Sequence, residues 1–269
     1  MIRRVLLGAS TRRDVGARQR LQAASEAGIT EVGLSYRQVV DATGAGVPVE
    51  QLVADAAGLG LRIGEFELLG AALEPARADR TAAFAERLFS LAVRLGAERV
   101  MAVSQLAGPV DEAAIRLRQL CDAAADHGLV IALEFAPWTE VPDLLTAAAI
   151  VERCRRPNAG VVLDAWHFFR GGSSIDDIEA VPPSAIACVQ LSDGPAIGWD
   201  DPYQETRHGR LAPGAGSFAL DDLVRKLDER GFEGPWSIEV LSDDLEKLSP
   251  AVAFAGLATA THTLLDAAG

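Results

Sequence analysis

A chain of 269 residues that is 49% apolar can bury a large core, which sets disorder aside and suits one large domain or two small ones. Its formal net charge of -13 argues against broad binding to nucleic acid or to an anionic membrane. Four histidines and three separated cysteines, Cys121, Cys154 and Cys188, fit neither a multi-zinc cluster nor a disulfide framework, so the cysteines read as reduced core residues.

The first residues, MIRRVLLGAS, are too short in their apolar part for a signal peptide. No apolar run reads as long and uncharged enough to span a membrane, and a cytoplasmic protein is expected. Val5-Leu6-Leu7-Gly8 forms the first strand unit, followed by a helix through Leu21 and Ala24. A loose repeat then sets in, in which a helical stretch closes at a glycine and an apolar run begins. Gly28 leads into Glu31-Val32-Gly33-Leu34, Gly58 and Gly60 into Leu61-Arg62-Ile63, and Gly96 into Val100-Met101-Ala102-Val103. Gly128 leads into Leu129-Val130-Ile131, Gly160 opens Val161-Val162-Leu163, and Gly231 and Gly234 precede Trp236-Ser237-Ile238.

Between the runs lie amphipathic helices. Asp111 is the expected N-cap of one that buries Ala114, Leu117, Cys121 and Ala124. Another follows Ser217 and buries Leu220, Leu223, Val224 and Leu227. The last runs roughly from Leu248 to Ala268. Eight candidate strands result, near 4–8, 31–34, 61–66, 99–103, 129–135, 160–164, 186–191 and 236–241. Strands apolar on both faces, alternating with helices, imply a parallel sheet covered by helices. Eight such units in this length predict an α/β fold, a single (β/α)8 TIM barrel forming one domain over 1–269. A doubly wound open sheet is the alternative, but no GxGxxG follows the first strand. The one long irregular segment, Gly194 to Gly216, has the length of a functional loop.

Val130-Ile131-Ala132-Leu133-Glu134 closes a buried run on a carboxylate, which is costly to desolvate without an opposite charge. A core ion pair with an arginine would explain Glu134 alone. The habit returns, however, in Val161-Val162-Leu163-Asp164, in the run through Gln190, and in Trp236-Ser237-Ile238-Glu239. In a barrel the carboxyl ends of consecutive strands converge on one face. Three carboxylates brought together would raise one another's pKa unless a cation neutralises them. Glu134, Asp164, Gln190 and Glu239 thus form an oxygen-only donor set suited to one divalent ion, Mn2+ or Mg2+, with Co2+ also suited.

The order of Glu134, then Asp164 with His167 three residues on, then a polar strand residue before Asp193, then Glu239, resembles the xylose isomerase-like barrel superfamily. Arg210-Leu211-Ala212-Pro213-Gly214-Ala215-Gly216 is similar to that family's Arg-x-x-Pro-Gly-Glu-Gly loop, with Ala215 where an acid is common. The resemblance covers nearly the whole chain and implies a sugar or sugar-phosphate isomerase or epimerase, or a related dehydratase. It implies that Glu134 and Glu239 both hold the metal and move protons on opposite faces of an α-hydroxy-carbonyl substrate, through a metal-stabilised enediolate. It gives His167 contacts to substrate oxygens; a structural histidine is the plainer alternative. Many epimerases of the group carry His where this chain has Gln190, and Gln there resembles the 3-dehydroshikimate dehydratase branch. The group also includes inosose dehydratases. Homo-oligomers are common in it.

Arg207, His208 and Arg210 concentrate positive charge in the long segment of an acidic chain, which suits an anionic small molecule, a sugar phosphate or a cyclic keto-acid, unless they are merely solvated. Glu140 is placed to meet a substrate hydroxyl or to start a helix. Trp138 and Trp166, with Phe168 and Phe169, are placed to wall a small pocket and exclude water. The leading expectation is therefore a metal-dependent isomerase or epimerase acting by proton abstraction beside a carbonyl. A lyase on the same site comes second and a non-catalytic barrel third. An apurinic-site endonuclease would need more histidines and a basic surface.

Overall fold

Each apolar run pairs with the runs before and after it in sequence, and the last pairs with the first. The computed structural model describes residues 3–268. Its strands are β1 (Val5–Leu7), β2 (Glu31–Ser35), β3 (Arg62–Leu69), β4 (Arg99–Val103), β5 (Val130–Glu134), β6 (Ala159–Asp164), β7 (Ile186–Leu191) and β8 (Trp236–Ile238). They close in chain order into one parallel barrel, with Leu6 opposite Ser237 where β1 meets β8. All eight expected strands are present, and the open sheet is excluded because no edge remains.

The covering helices are α1 (Ala17–Glu26), α2 (Tyr36–Gly44), α3 (Val49–Gly58), α4 (Ala78–Leu95), α5 (Val110–Ala125) and α6 (Leu144–Cys154). They continue with α7 (Ala165–Arg170), α8 (Pro202–His208), α9 (Leu220–Glu229), α10 (Asp243–Glu246) and α11 (Pro250–Ala268). Helix α5 starts one residue before Asp111, with Pro109 at the N-cap. Asp111 therefore sits in the first turn, where it meets the positive end of the helix dipole. Helix α9 likewise starts at Leu220 and not beside Ser217. Gly96, at φ 76, closes α4 in the left-handed conformation that glycine adopts without strain.

Gly160 has a different role from the one the repeat assigned it. It lies inside β6, where an added Cβ would sit 2.7 Å from the Ala187 Cβ, and α6 is closed instead by Arg155 at φ 54. Glycine at 160 permits the close approach of β7.

The main core lies between barrel and helices, as the amphipathic patterns require. Inside the barrel the filling is uneven. Met101, Ala132, Val162 and Cys188 form a small apolar plug from β4 to β7. On the β2–β3 side the interior is charged, so those strands are not apolar on both faces. Glu31 is held by Arg4 at 2.9 Å, Arg62 at 2.6 Å and Arg99 at 3.3 Å. Arg99 Nε lies 3.7 Å from the fully buried Glu65.

Helix α11 meets the length and composition of a membrane span, at mean hydropathy 1.2, contrary to the expectation that no run would. Its Phe254, Leu257, Leu264 and Leu265 are buried, and it packs on α1, α9 and β8 as a covering helix. Cys121, Cys154 and Cys188 are all free and buried, and the first two touch with their sulfurs 4.0 Å apart.

Candidate active site

The strand-end residues of β5 to β8 share the carboxyl-terminal mouth of the barrel. Glu134 ends β5 and keeps part of its side chain open to the mouth. Asp164 ends β6 fully buried and faces Gln190 in the β6–β7 register. Gln190 in turn faces Ser237, two residues before Glu239. Glu134, Asp164 and His167 each offer one ligand atom, and these atoms lie within 4.8 Å of one another.

Asp164 is also the N-cap of α7. Its Oδ1 accepts from the His167 backbone N–H at 2.9 Å, which caps the first turn of α7 and sets His167 in that turn. Its Oδ2 accepts from Arg210 Nη1 at 2.7 Å. Burial raises the Asp164 pKa, but Arg210 and His167 outweigh it and hold the carboxyl below its usual range. His167 Nε2 stands 3.2 Å from Glu134 Oε1.

Two oxygens of this group are buried without any hydrogen-bond partner, Gln190 Oε1 and Glu239 Oε2. An orphaned buried oxygen costs about 1–3 kcal/mol, so each calls for a cation or a donor that the chain does not supply. Gly8 makes the room, since a Cβ there would lie 2.1 Å from Glu239 Oε2. Burial, reinforced by Glu67, pushes the Glu239 carboxyl well above the ordinary carboxylate range. Among the described residues the ligand atoms that converge are those of Glu134, Asp164 and His167, two carboxylates and an imidazole that together suit a divalent ion, and Glu239 lies outside that group.

The cations expected to gather over the site are separated. Arg210 is 3% exposed and is spent on protein oxygens: Asp164, Thr206 Oγ1 at 2.7 Å, the Glu239 carbonyl at 3.1 Å and Ser192 Oγ at 3.3 Å. His208 Nδ1 is 2.8 Å from Asp243. Arg207 lies over the Tyr203 ring, 5.4 Å from its centroid. Glu140 is exposed, and its Oε2 accepts from the Ala107 and Gly108 amides at 2.7 and 2.8 Å, so it ties the β4 and β5 loops together.

Trp138 does line the mouth. Its ring meets His167 at 5.2 Å, Tyr203 at 5.5 Å and Trp166 at 6.1 Å. Trp166 is fully buried beneath it, donating to Glu205 Oε1 at 3.3 Å with Arg210 over its face.

The segment from Gly194 to Gly216 is more ordered than an irregular loop, because α8 lies within it. Two acids that the sequence left without a role organise it. Glu205 is fully buried and accepts from Arg170 Nε at 2.8 Å and the Trp199 N–H at 2.6 Å. Asp193 accepts from the amides of Gly194, Gly214, Gly216 and Phe218 at 2.8–3.1 Å, which draws both ends of the segment together. Also missed were Glu65 and Glu67 of β3. They are acids inside an apolar run, the same signal that marked Glu134, but Leu68 and Leu69 continue the run past them and hide the strand end.

A groove of about 720 Å³ on the outer wall, lined in part by Leu145, Glu152, Arg155 and Arg156, holds none of these acids.

The profile of the xylose isomerase-like TIM barrel family matches residues 21–258. A 3-dehydroshikimate dehydratase of Pseudomonas aeruginosa is 32% identical over 234 residues, covering 84% of this chain and 36% of that protein. An inosose isomerase of Halalkalibacterium halodurans is 34% identical over 137 residues, covering 49% of this chain and 47% of that protein. The chain thus spans between a third and a half of the length of these relatives. Among solved structures, the IOLI protein with a bound zinc atom superposes with a TM-score of 0.90 at 20% identity, covering 99% of each chain, a likeness of fold.

Proposed function

Since the chain belongs to the xylose isomerase-like TIM barrel family, we propose that it is a divalent-metal-dependent isomerase or epimerase of a polyhydroxy ketone. In this reading the metal is held by Glu134, Asp164, Gln190 and Glu239. The observation that carries it is the convergence of Glu134, Asp164 and His167, whose ligand atoms lie within 4.8 Å of one another, with Gln190 Oε1 and Glu239 Oε2 buried and unpartnered at the ends of the next two strands. When bound, the ion supplies a Lewis acid that acidifies the C–H next to a substrate carbonyl.

The chain's own residues do the rest. Glu134 takes the proton, with His167 Nε2 at 3.2 Å to hold it or to bind the substrate oxygen. Glu239 returns a proton from the other side of the mouth. Arg210 keeps Asp164 ionised and fixed, and Trp138 walls the mouth against water. The barrel acts as one domain.

Identity of 32% over most of this chain with a 3-dehydroshikimate dehydratase supports a second reading, elimination of water on the same site. Both begin with proton removal beside a carbonyl. Elemental analysis of the purified protein, followed by NMR in D2O with ketoses, a cyclic inosose and 3-dehydroshikimate, separates them. The expected result is one equivalent of Mn2+, Mg2+, Co2+ or Zn2+ and C–H exchange with an isomerised ketone. Aromatisation of the acid selects the lyase. Absence of both metal uptake and exchange overturns the enzyme reading.

A further inference from the structure

Most arginines of this chain are held by its own acids or carbonyls. Arg62 is paired with Glu31, Arg94 with Glu50, and Arg118 with the carbonyls of Arg153 and Cys154. The corner between β3 and α4 departs from this habit. Gly70 and Ala71 follow the end of β3, and with Arg77, Arg80, Phe84 and Arg87 they line a cavity of about 360 Å³. Among the described residues, Arg80 meets neither a carboxylate nor a carbonyl, and Arg87 meets only the Phe84 ring, 5.9 Å from its centroid. Arg77 turns its Nε to Glu74 Oε2 at 3.0 Å.

This placement works against the stability of the helix. Arg77 is the N-cap residue of α4, and Arg80, Phe84 and Arg87 follow at spacings of three, four and three, so the four share one face. Like charges at such spacings repel one another. Arg77 and Arg80 also stand at the positive end of an 18-residue helix, where acids are favoured over cations. Asp79 is the one acid of that first turn, and it does not line the cavity. The walls are fixed from behind. Thr81 Oγ1 donates to the Ala71 carbonyl at 3.2 Å, the Ala72 N–H donates to the Val103 carbonyl at 3.0 Å, and Phe84 packs edge-on against Tyr36 at 5.0 Å. Three guanidiniums, with Glu74 as their acidic partner, are thus gathered around a built depression in a chain of net charge -13.

We propose that this corner is a binding site for a phosphate group, free or borne by a small ester, separate from the barrel mouth. One guanidinium fork satisfies a carboxylate, whereas three guanidiniums around one cavity offer donors to more oxygens than a carboxylate has, which matches a tetrahedral dianion. Such an anion relieves the repulsion among the arginines, and the amino-terminal end of α4 adds a field of the right sign. The lining shares no residue with the convergent group of Glu134, Asp164 and His167, nor with Gln190 or Glu239, so the inference is independent of the metal reading.

The test titrates inorganic phosphate, pyrophosphate and glycerol 3-phosphate into the protein at fixed ionic strength, read by calorimetry and by amide hydrogen exchange. At least one probe should bind at millimolar concentration or below and slow exchange in the segment 70–87 that carries the lining. Arg80→Gln and Arg87→Gln alter exposed side chains and should each weaken binding about tenfold, the scale of one charge-assisted hydrogen bond. Arg13→Gln removes the same charge from an exposed position outside the cavity and should leave binding unchanged. Tighter binding of glycerol 3-phosphate than of inorganic phosphate assigns the site to an ester, and the reverse order assigns it to the free ion. Absence of binding by all three probes overturns the inference. So does equal weakening in Arg13→Gln, which would make the attraction one of overall charge. Binding that both Arg80→Gln and Arg87→Gln retain, with exchange slowed at the ends of β5 to β8, also overturns it by moving the anion to the mouth.

Discussion

Arg210 Nη1 lies 2.7 Å from Asp164 Oδ2, and both side chains are nearly or wholly buried. The guanidinium that the sequence offered to a substrate anion therefore serves a protein carboxylate. Its other nitrogen contacts, to Thr206 and the Glu239 carbonyl, tie the segment after β7 to the end of β8. One side chain thereby sets the charge of a proposed metal ligand and the position of the loop beside it.

Breaking this pair leaves a buried carboxylate without a counter-ion. Arg210→Met is expected to destabilise the metal-free protein by about 3–5 kcal/mol in urea unfolding. Mn2+ should restore part of the loss, because a divalent ion would replace the missing positive charge beside Asp164. A loss that Mn2+ leaves untouched would separate Asp164 from the metal.

Glu134→Gln preserves shape and removes the base. The variant is expected to keep its circular dichroism spectrum and lose about 10²–10⁴-fold in C–H exchange measured in D2O. Near wild-type exchange would move proton abstraction to another residue.

Divalent affinity should rise with pH. Burial and Glu67 push the Glu239 carboxyl well up, so a proton competes with the ion for Oε2, and binding releases that proton. Calorimetry between about pH 5 and 8 should show tighter binding at each step upward, with the dependence weakened in Glu67→Gln. An affinity independent of pH would exclude Glu239 as a ligand.

Stability of the metal-free protein should move in the opposite direction. Burial, and then Glu65, raises the Glu67 pKa well above the value of 4.5 expected in the unfolded chain. Below the unfolded pKa both states are protonated and the contribution is fully present. Above it the unfolded chain releases a proton that the folded state retains, so stability falls as pH rises through the folded pKa. Glu67→Gln should flatten that fall in urea midpoints measured from acid to neutral pH; a slope equal to wild type would assign it to other groups.

Gly8→Ala tests the room made for Glu239. The new Cβ would lie 2.1 Å from Oε2 and 2.8 Å from the Ile238 carbonyl, and the carbonyl cannot rotate away. A destabilisation of about 1–3 kcal/mol is expected. Mn2+ affinity, measured on the folded fraction, should fall with it as the carboxylate is displaced.

Much of the fold was legible because its signals are local. A parallel barrel strand buried on both faces is a short apolar run, and the turn that closes its helix commonly carries a glycine, so chain order alone located β1 to β8. Glu134, Asp164 and Glu239 stood out because a charge ending an apolar run is conspicuous. Glu65 and Glu67 did not, since β3 continues as Leu68-Leu69 and the acids look internal to it. Gly160 was misread for the opposite reason: glycine after a helix and glycine under a neighbouring strand look the same in a string of letters.

From its sequence alone this protein has eight strands, a closed parallel topology, and acids at the ends of β5, β6 and β8, because periodicity and strand-end position are properties of short segments. Only the tertiary structure decides where the charges go. Arg210 reaches Asp164 across 46 positions and Ser10 reaches Glu67 across 57, while Arg207, three residues from Arg210, turns to Tyr203. Those pairings follow from barrel closure and strand register, which bring distant segments within hydrogen-bond range.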